Sequence, residues 1–330
     1  MTLPATEAAS TASAPSPALL AAADLGNALL ENLGRVIKGK SEVLRLTVVA
    51  LLSGHHLLLE DVPGVGKTLL AKAIARSVGG AFRRVQGTPD LLPSELTGVS
   101  VFHKASEEWE FRAGPLFANV VLFDEINRAT PRTQSALLEA MEERQVTVDG
   151  TTYDLPEPFF VVATQNPIEH AGTFPLVEGQ RDRFGLVLEL GAPHRVAERE
   201  LLLGSGGVDS LDMLRAVSSP EALSAAEHAV RTVYCAPAVA DYVIDLAAAT
   251  REHPDVALGC SPRGSISLLH LAKAVAAMSG RHFVTPGDVQ AVAVPALAHR
   301  VIVSGGAGAD VQAAAGIVRR ILESVPVPRG

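Results

Sequence analysis

The chain has 330 residues, enough for two domains with separate cores, and its 48% apolar and 19% charged content describes a globular protein. A formal charge of −8 argues against a general affinity for nucleic acid, which rests on Lys and Arg replacing phosphate counterions.

The first residues, rich in Ala, Ser, Thr and Pro, offer too little apolar surface to offset ordering entropy, so residues 1–20 are expected to form a flexible tail. They lack the basic start of a secretory signal, and a cytoplasmic location is expected. Leu25, Leu29, Leu30, Leu33 and Ile37 recur at helical spacing, Gly39 interrupts them, and Ser41 can cap a second helix to about Leu52. No apolar run approaches the roughly 20 residues of a membrane span.

Three short apolar runs follow, His56 to Leu59, Val120 to Phe123 and Phe159 to Ala163, and each ends in polar residues. Apolar runs without alternation fit parallel strands covered on both faces. Helical segments follow the first two, Thr68 to Val78 and Thr130 to Glu143, the latter with a Thr130-Pro131 start. The order β-α-β-α-β predicts an α/β fold with a parallel sheet, whose ligands bind at the carboxyl ends of the strands. Residues 99–112 and 145–155 read as hairpins, the second around Asp149-Gly150. Beyond about Gly191 helical patterns take over, which predicts a core over 21–190 and an all-helical domain over 191–330. Cys235 and Cys260 lack metal or disulfide spacing and read as free thiols, and the adjacent His55 and His56 point to opposite strand faces and read as core or edge histidines.

The chemistry concentrates at the strand ends. Asp61-Val-Pro63-Gly64-Val65-Gly66-Lys67-Thr68 lies between a strand and a helix, the setting of a phosphate-binding loop. Pro63, Gly64, Val65 and Gly66 would bring backbone N–H groups to the phosphates of ATP, Lys67 would reach the β and γ oxygens, Thr68 would ligate Mg²⁺, and Leu69 continues the first helical turn. Asp61 stands where such a loop usually begins with glycine. Asp124 and Glu125 end a buried strand, where unpaired carboxylates would be costly. Asp124 suits the Mg²⁺ shell and Glu125 the attacking water, while capping of the next helix is the structural alternative. Asn166 follows the third strand and could hold the γ-phosphate or the water, or form a turn before Pro167.

The set DVPGVGKT, LFDEINRA, ATQNP, EGQRDRF and SPRGS, in this order, resembles the MoxR family of AAA+ ATPases from about Val36 to the C-terminus. The resemblance implies an AAA+ αβα core with a helical lid, ATP hydrolysis with Mg²⁺, and an adenine pocket bordered by Val36 and Ile37. It makes Asn166 the first sensor, Arg183 the arginine finger offered to a neighbouring subunit, and Arg263 the second sensor on the lid. Arg181 competes with Arg183 for the finger role. The implied partners are copies of the same chain, in a hexamer, a separate von Willebrand factor A domain protein, and a protein client remodelled or matured, including by metal-cofactor insertion. A nucleic-acid motor and a magnesium-chelatase-like subunit are the alternatives; residues 145–160 contain no Lys or Arg, which weighs against the motor. Trp109, between Phe102 and Phe111 in the first hairpin, reads as a local clasp or a client contact.

Overall fold

A computed structural model describes residues 14–62, 64–167, 172–204, 208–305 and 311–328. Two helices lead the chain, α1 (Pro17–Val36) and α2 (Ser41–Leu52), followed by β1 (Leu57–Glu60), α3 (Lys67–Val78) and β2 (Phe82–Gln86). Then come α4 (Pro93–Thr97), the hairpin β3 (Gly98–His103) and β4 (Glu108–Ala113), β5 (Val120–Asp124) and α5 (Pro131–Glu143). The core ends with the hairpin β6 (Gln145–Val148) and β7 (Thr151–Asp154), β8 (Phe160–Gln165), α6 (Glu178–Arg181) and β9 (Leu186–Leu188).

Strands β2-β5-β8-β1-β9, in that spatial order, form one parallel sheet. Successive side chains of a strand point to opposite faces. Thus Leu57, Leu59, Val120, Leu122, Val162 and Leu186 join one apolar layer, with α1, α2 and α3, while Leu58, Val121, Phe123, Val161 and Val187 join the other, with α5. Burial on both faces explains why these strands read as unbroken apolar runs.

Two strands of this sheet escape the sequence reading. β2, with the sequence FRRVQ, is an edge strand with exposed Arg83 and Arg84, and β9 is a three-residue strand at the other edge. The expected tail does not reach residue 20, because the Ser16 side chain accepts from the Leu19 N–H and Pro17 opens α1. Residues 17–20 are therefore helical, and residues 1–13 lie outside the described residues.

The C-terminal part comprises α7 (Arg195–Leu202), α8 (Val208–Met213), α9 (Pro220–Arg231), α10 (Pro237–Glu252), β10 (Val256–Leu258), α11 (Pro262–Met278), α12 (Pro286–Leu297), β11 (Ile302–Val303) and α13 (Val311–Ser324). It is not wholly helical, since β10 and β11 pair antiparallel. Its apolar interior is continuous with the layer on one face of the sheet, and α1 packs against both α3 and α9. Buried Arg300 ties the two parts together: Nε donates to Asp182 Oδ1 at 2.6 Å and Nη2 to the Phe184 carbonyl at 2.8 Å. Among the described residues no helix is long and apolar enough to cross a membrane.

Both hairpins form. The second turns on Asp149 and Gly150, at φ +50° and +79°, the left-handed pair that a tight two-residue turn needs. Phe111 leaves Trp109 and stacks on Tyr153, ring centroids 4.0 Å apart, joining the hairpins, while Trp109 packs on Phe102 and stays 70% exposed.

His56 and His299, each 4% exposed, are held neutral. His56 Nδ1 accepts from the Val161 N–H at 3.1 Å, so Nε2 carries the proton and donates to the Met141 carbonyl. Burial lowers both imidazoles well below their usual value. The unfolded chain therefore takes up protons below about pH 6.5 that the folded chain excludes. Stability present above that pH is expected to be lost as pH falls, by about 1.4 kcal/mol per pH unit for each group. Calorimetric unfolding in buffers of different ionisation enthalpy should show proton uptake near about pH 5.5, and its absence would contradict the neutral assignment.

Candidate functional site

The carboxyl ends of β1, β5 and β8 open into one cavity of about 600 Å³, within the range of small-molecule sites. Val36, Ile37, Gly64, Val65, Gly66, Lys67, Thr68, Leu69, Asp124, Glu125 and Asn166 all line it. Pro63 lies outside the described residues. Gly64 and Gly66 stand at φ +88° and +102°, where a side chain would be strained, and Gly66 caps α3 so that the helix N-terminus faces the cavity.

Lys67 is buried and its Nζ donates to the Asp61 carbonyl at 2.7 Å. Burial lowers its pKa, while Asp61, Asp124 and Glu125 pull the other way. Asp61 is explained by its own partners: its carboxylate turns from the cavity and accepts from the N–H groups of Leu190 and Gly191, where the core meets the C-terminal part. Asp61 is not among the positive-φ residues, so its position does not require glycine.

Thr164 links the two carboxylate residues. Its hydroxyl donates to Asp124 Oδ1 at 2.6 Å and accepts from the Glu125 N–H at 2.9 Å. Glu125 sits at φ +56°, an unusual backbone setting for a non-glycine residue, consistent with a constrained functional position. Its Oε2 accepts from Gln86 Nε2 at 2.7 Å and from Arg128 Nη1 at 3.0 Å. Asp124 Oδ2 accepts from Arg84 Nη2 at 2.7 Å.

Arg183 and Arg263 do not line this cavity. They border a second recess of about 270 Å³ with Glu142, His55 and His270. Arg183 Nε donates to Glu142 Oε2 at 3.0 Å and Arg263 Nη2 to Glu142 Oε1, so one carboxylate of α5 holds both arginines. Arg183 therefore pairs with neither Asp182 nor Glu178. Asp182 is taken by Arg300 and by the Ser261 hydroxyl, which also caps α11. Arg181 is buried and donates to Glu60 Oε1 at 2.7 Å, leaving Arg183 as the partly exposed member of the pair.

Residues 56–186 match the model of the ATPase family associated with various cellular activities (AAA), and residues 248–321 match an AAA lid domain. The chain is 46% identical to YeaC of Bacillus subtilis, covering 92% of this chain and 95% of YeaC. It is 40% identical to the chaperone MoxR1 of Mycobacterium tuberculosis (89% and 80%) and 31% identical to protein MoxR of Methylorubrum extorquens (90% and 93%). The chain belongs to the MoxR family of AAA ATPases. A crystal structure of a Cytophaga hutchinsonii protein assigned as an ATPase matches the MoxR-type chain with a TM-score of 0.85 and 33% identity, over 94% of this chain and 97% of that one. An MCM homolog of Methanopyrus kandleri shares the fold at a TM-score of 0.57 and 21% identity.

The Thr68 hydroxyl and the Asp124 carboxylate are hard oxygen donors on this one cavity, and are the residues that could hold Mg²⁺, a cation that keeps waters and phosphate oxygens as its other ligands. Sequence reasoning missed Lys38, Lys40, Lys72 and Arg84, which add positive charge to the cavity wall. Lys38 follows Ile37 directly, Lys40 lies two residues further on, and Lys72 lies one turn beyond Thr68, so their spacing carried a signal. Arg84 and Gln86 were hidden on the unread strand β2.

Proposed function

We propose that this MoxR-type chain is a Mg-dependent ATP phosphohydrolase that acts as a homo-oligomer, in a hexameric ring, to remodel or mature partner proteins. The observation that carries the reading is the convergence of Lys67, Thr68, Asp124, Glu125 and Asn166 on one cavity. In it, Val36 and Ile37 cover the adenine, and Gly64 to Leu69 cradle the phosphates. Lys67 exchanges the Asp61 carbonyl for β and γ oxygens, and Thr68 and Asp124 would hold the metal. Magnesium, when bound, neutralises charge on the phosphate oxygens. Glu125 orients the attacking water, and Asn166 donates from its amide to the terminal phosphate or to that water.

Arg183 stands on a different recess from this cavity, which supports its acting on the nucleotide of a neighbouring subunit, and Arg263, the second sensor of the C-terminal part, borders the same recess. A finger supplied in this way is worth about 10³ to 10⁵ in rate. Mixing inactive Arg183→Ala with inactive Lys67→Ala subunits should partly restore phosphate release, because some interfaces then pair an intact cradle with an intact arginine. Mixtures that stay inactive at every ratio would contradict action in trans.

The chaperone name of MoxR1 supports a protein client; metal-cofactor insertion belongs to the proposal without support from that name. A von Willebrand factor A domain protein is the proposed partner beside the client. A nucleic-acid motor finds no support in the β6–β7 hairpin, whose residues 145–160 carry no Lys or Arg.

A further inference from the structure

Both oxygens of Asp124 are engaged. Oδ1 accepts from the Thr164 hydroxyl, and that hydroxyl is itself fixed by the Glu125 N–H, inside two paired central strands. Oδ2 accepts from Arg84 at 2.7 Å. The two contacts differ in how easily they exchange. Thr164 is fully buried, whereas the Arg84 side chain is 48% exposed on the edge strand and lines the cavity. Arg84 also has an alternative acceptor at hand, since Nη2 lies 3.1 Å from Gln86 Oε1.

We propose that Arg84 competes with the divalent cation for Asp124, so that the guanidinium must leave Oδ2 before the carboxylate can join the metal's shell. The claim rests on the reading of the cavity as a magnesium-nucleotide site. Arg84 is then a positioning residue: it neutralises Asp124 until the cation arrives and yields because a half-exposed ion pair is weak. Its loss has opposite effects on the two forms of the nucleotide. Free ATP meets an uncompensated carboxylate and binds more weakly, whereas the magnesium complex no longer has to displace a cation. The ratio of the two affinities reads the competition directly, by linkage.

The test is calorimetric binding of ATPγS to the full chain, in saturating Mg²⁺ and in EDTA. For Arg84→Gln the ratio of the two affinities is expected to exceed that of wild type by about fivefold, near the upper limit for a half-exposed ion pair. A ratio that rises less than about twofold, or falls, overturns the proposal, and an arginine that simply binds phosphate would give that result by weakening both forms alike. Arg84→Lys keeps the charge where a single nitrogen meets Asp124 and should stay within about twofold of wild type, and a lysine variant that behaves like the glutamine variant also overturns it. Asp124→Asn separates the two levels: its ratio should fall towards one, and a wild-type ratio there would remove the metal role of Asp124 itself.

Discussion

Lys67→Ala is expected to weaken ATP binding by about thirtyfold to several thousandfold, the range for removing one partner of a desolvated charge pair. Lys67 is buried at the start of α3, and three carboxylates, Asp61, Asp124 and Glu125, favour its charged form against burial. Among the described residues its ammonium donates to a neutral carbonyl, that of Asp61. A triphosphate offers charged acceptors in its place, and hydrogen bonds between ionised partners are about twice as strong as neutral ones. Calorimetry decides the matter, with Lys104→Ala, on the exposed hairpin, as the control. An unchanged dissociation constant would refute the loop assignment.

Glu125→Gln separates binding from turnover. Its carboxylate is held by Gln86 and Arg128 and does not touch Lys67, so the amide should keep ATP affinity within a few-fold of wild type. Turnover should fall by about 10² to 10⁴, the usual contribution of a positioned acid or base, because an amide orients water without drawing on its proton. Phosphate release measured beside nucleotide affinity reads both effects. A variant with wild-type turnover would exclude Glu125 as the residue that acts on water.

How much of this was legible depends on whether the determining contacts are local. β1, β5 and β8 could be read because burial on both faces leaves Leu57-Leu58-Leu59 and Val120-Val121-Leu122-Phe123 without polar interruption. β2 could not, since an edge strand carrying Arg83 and Arg84 has no such pattern. The site divides in the same way. Gly64 to Thr68 and Asp124-Glu125 announce themselves by adjacency to a strand end. The partners that hold Asp124 and Glu125, Arg84 and Gln86, lie 40 and 39 residues earlier in the chain and are brought near by the β2–β5 pairing. The role of Asp61 depends on Leu190 and Gly191, and the pairing of Arg183 and Arg263 on Glu142 depends on how α5 meets the C-terminal part. No sequence window contains those contacts.

A structure of Glu125→Gln assembled with ATP and magnesium reads the whole arrangement at once. The adenine should lie against Ile37 and the triphosphate against Lys67, with Thr68 and Asp124 at the metal, and Arg183 of an adjacent subunit should have left Glu142 for the terminal phosphate. Nucleotide bound elsewhere, or Arg183 still paired with Glu142 at every loaded interface, would contradict the account.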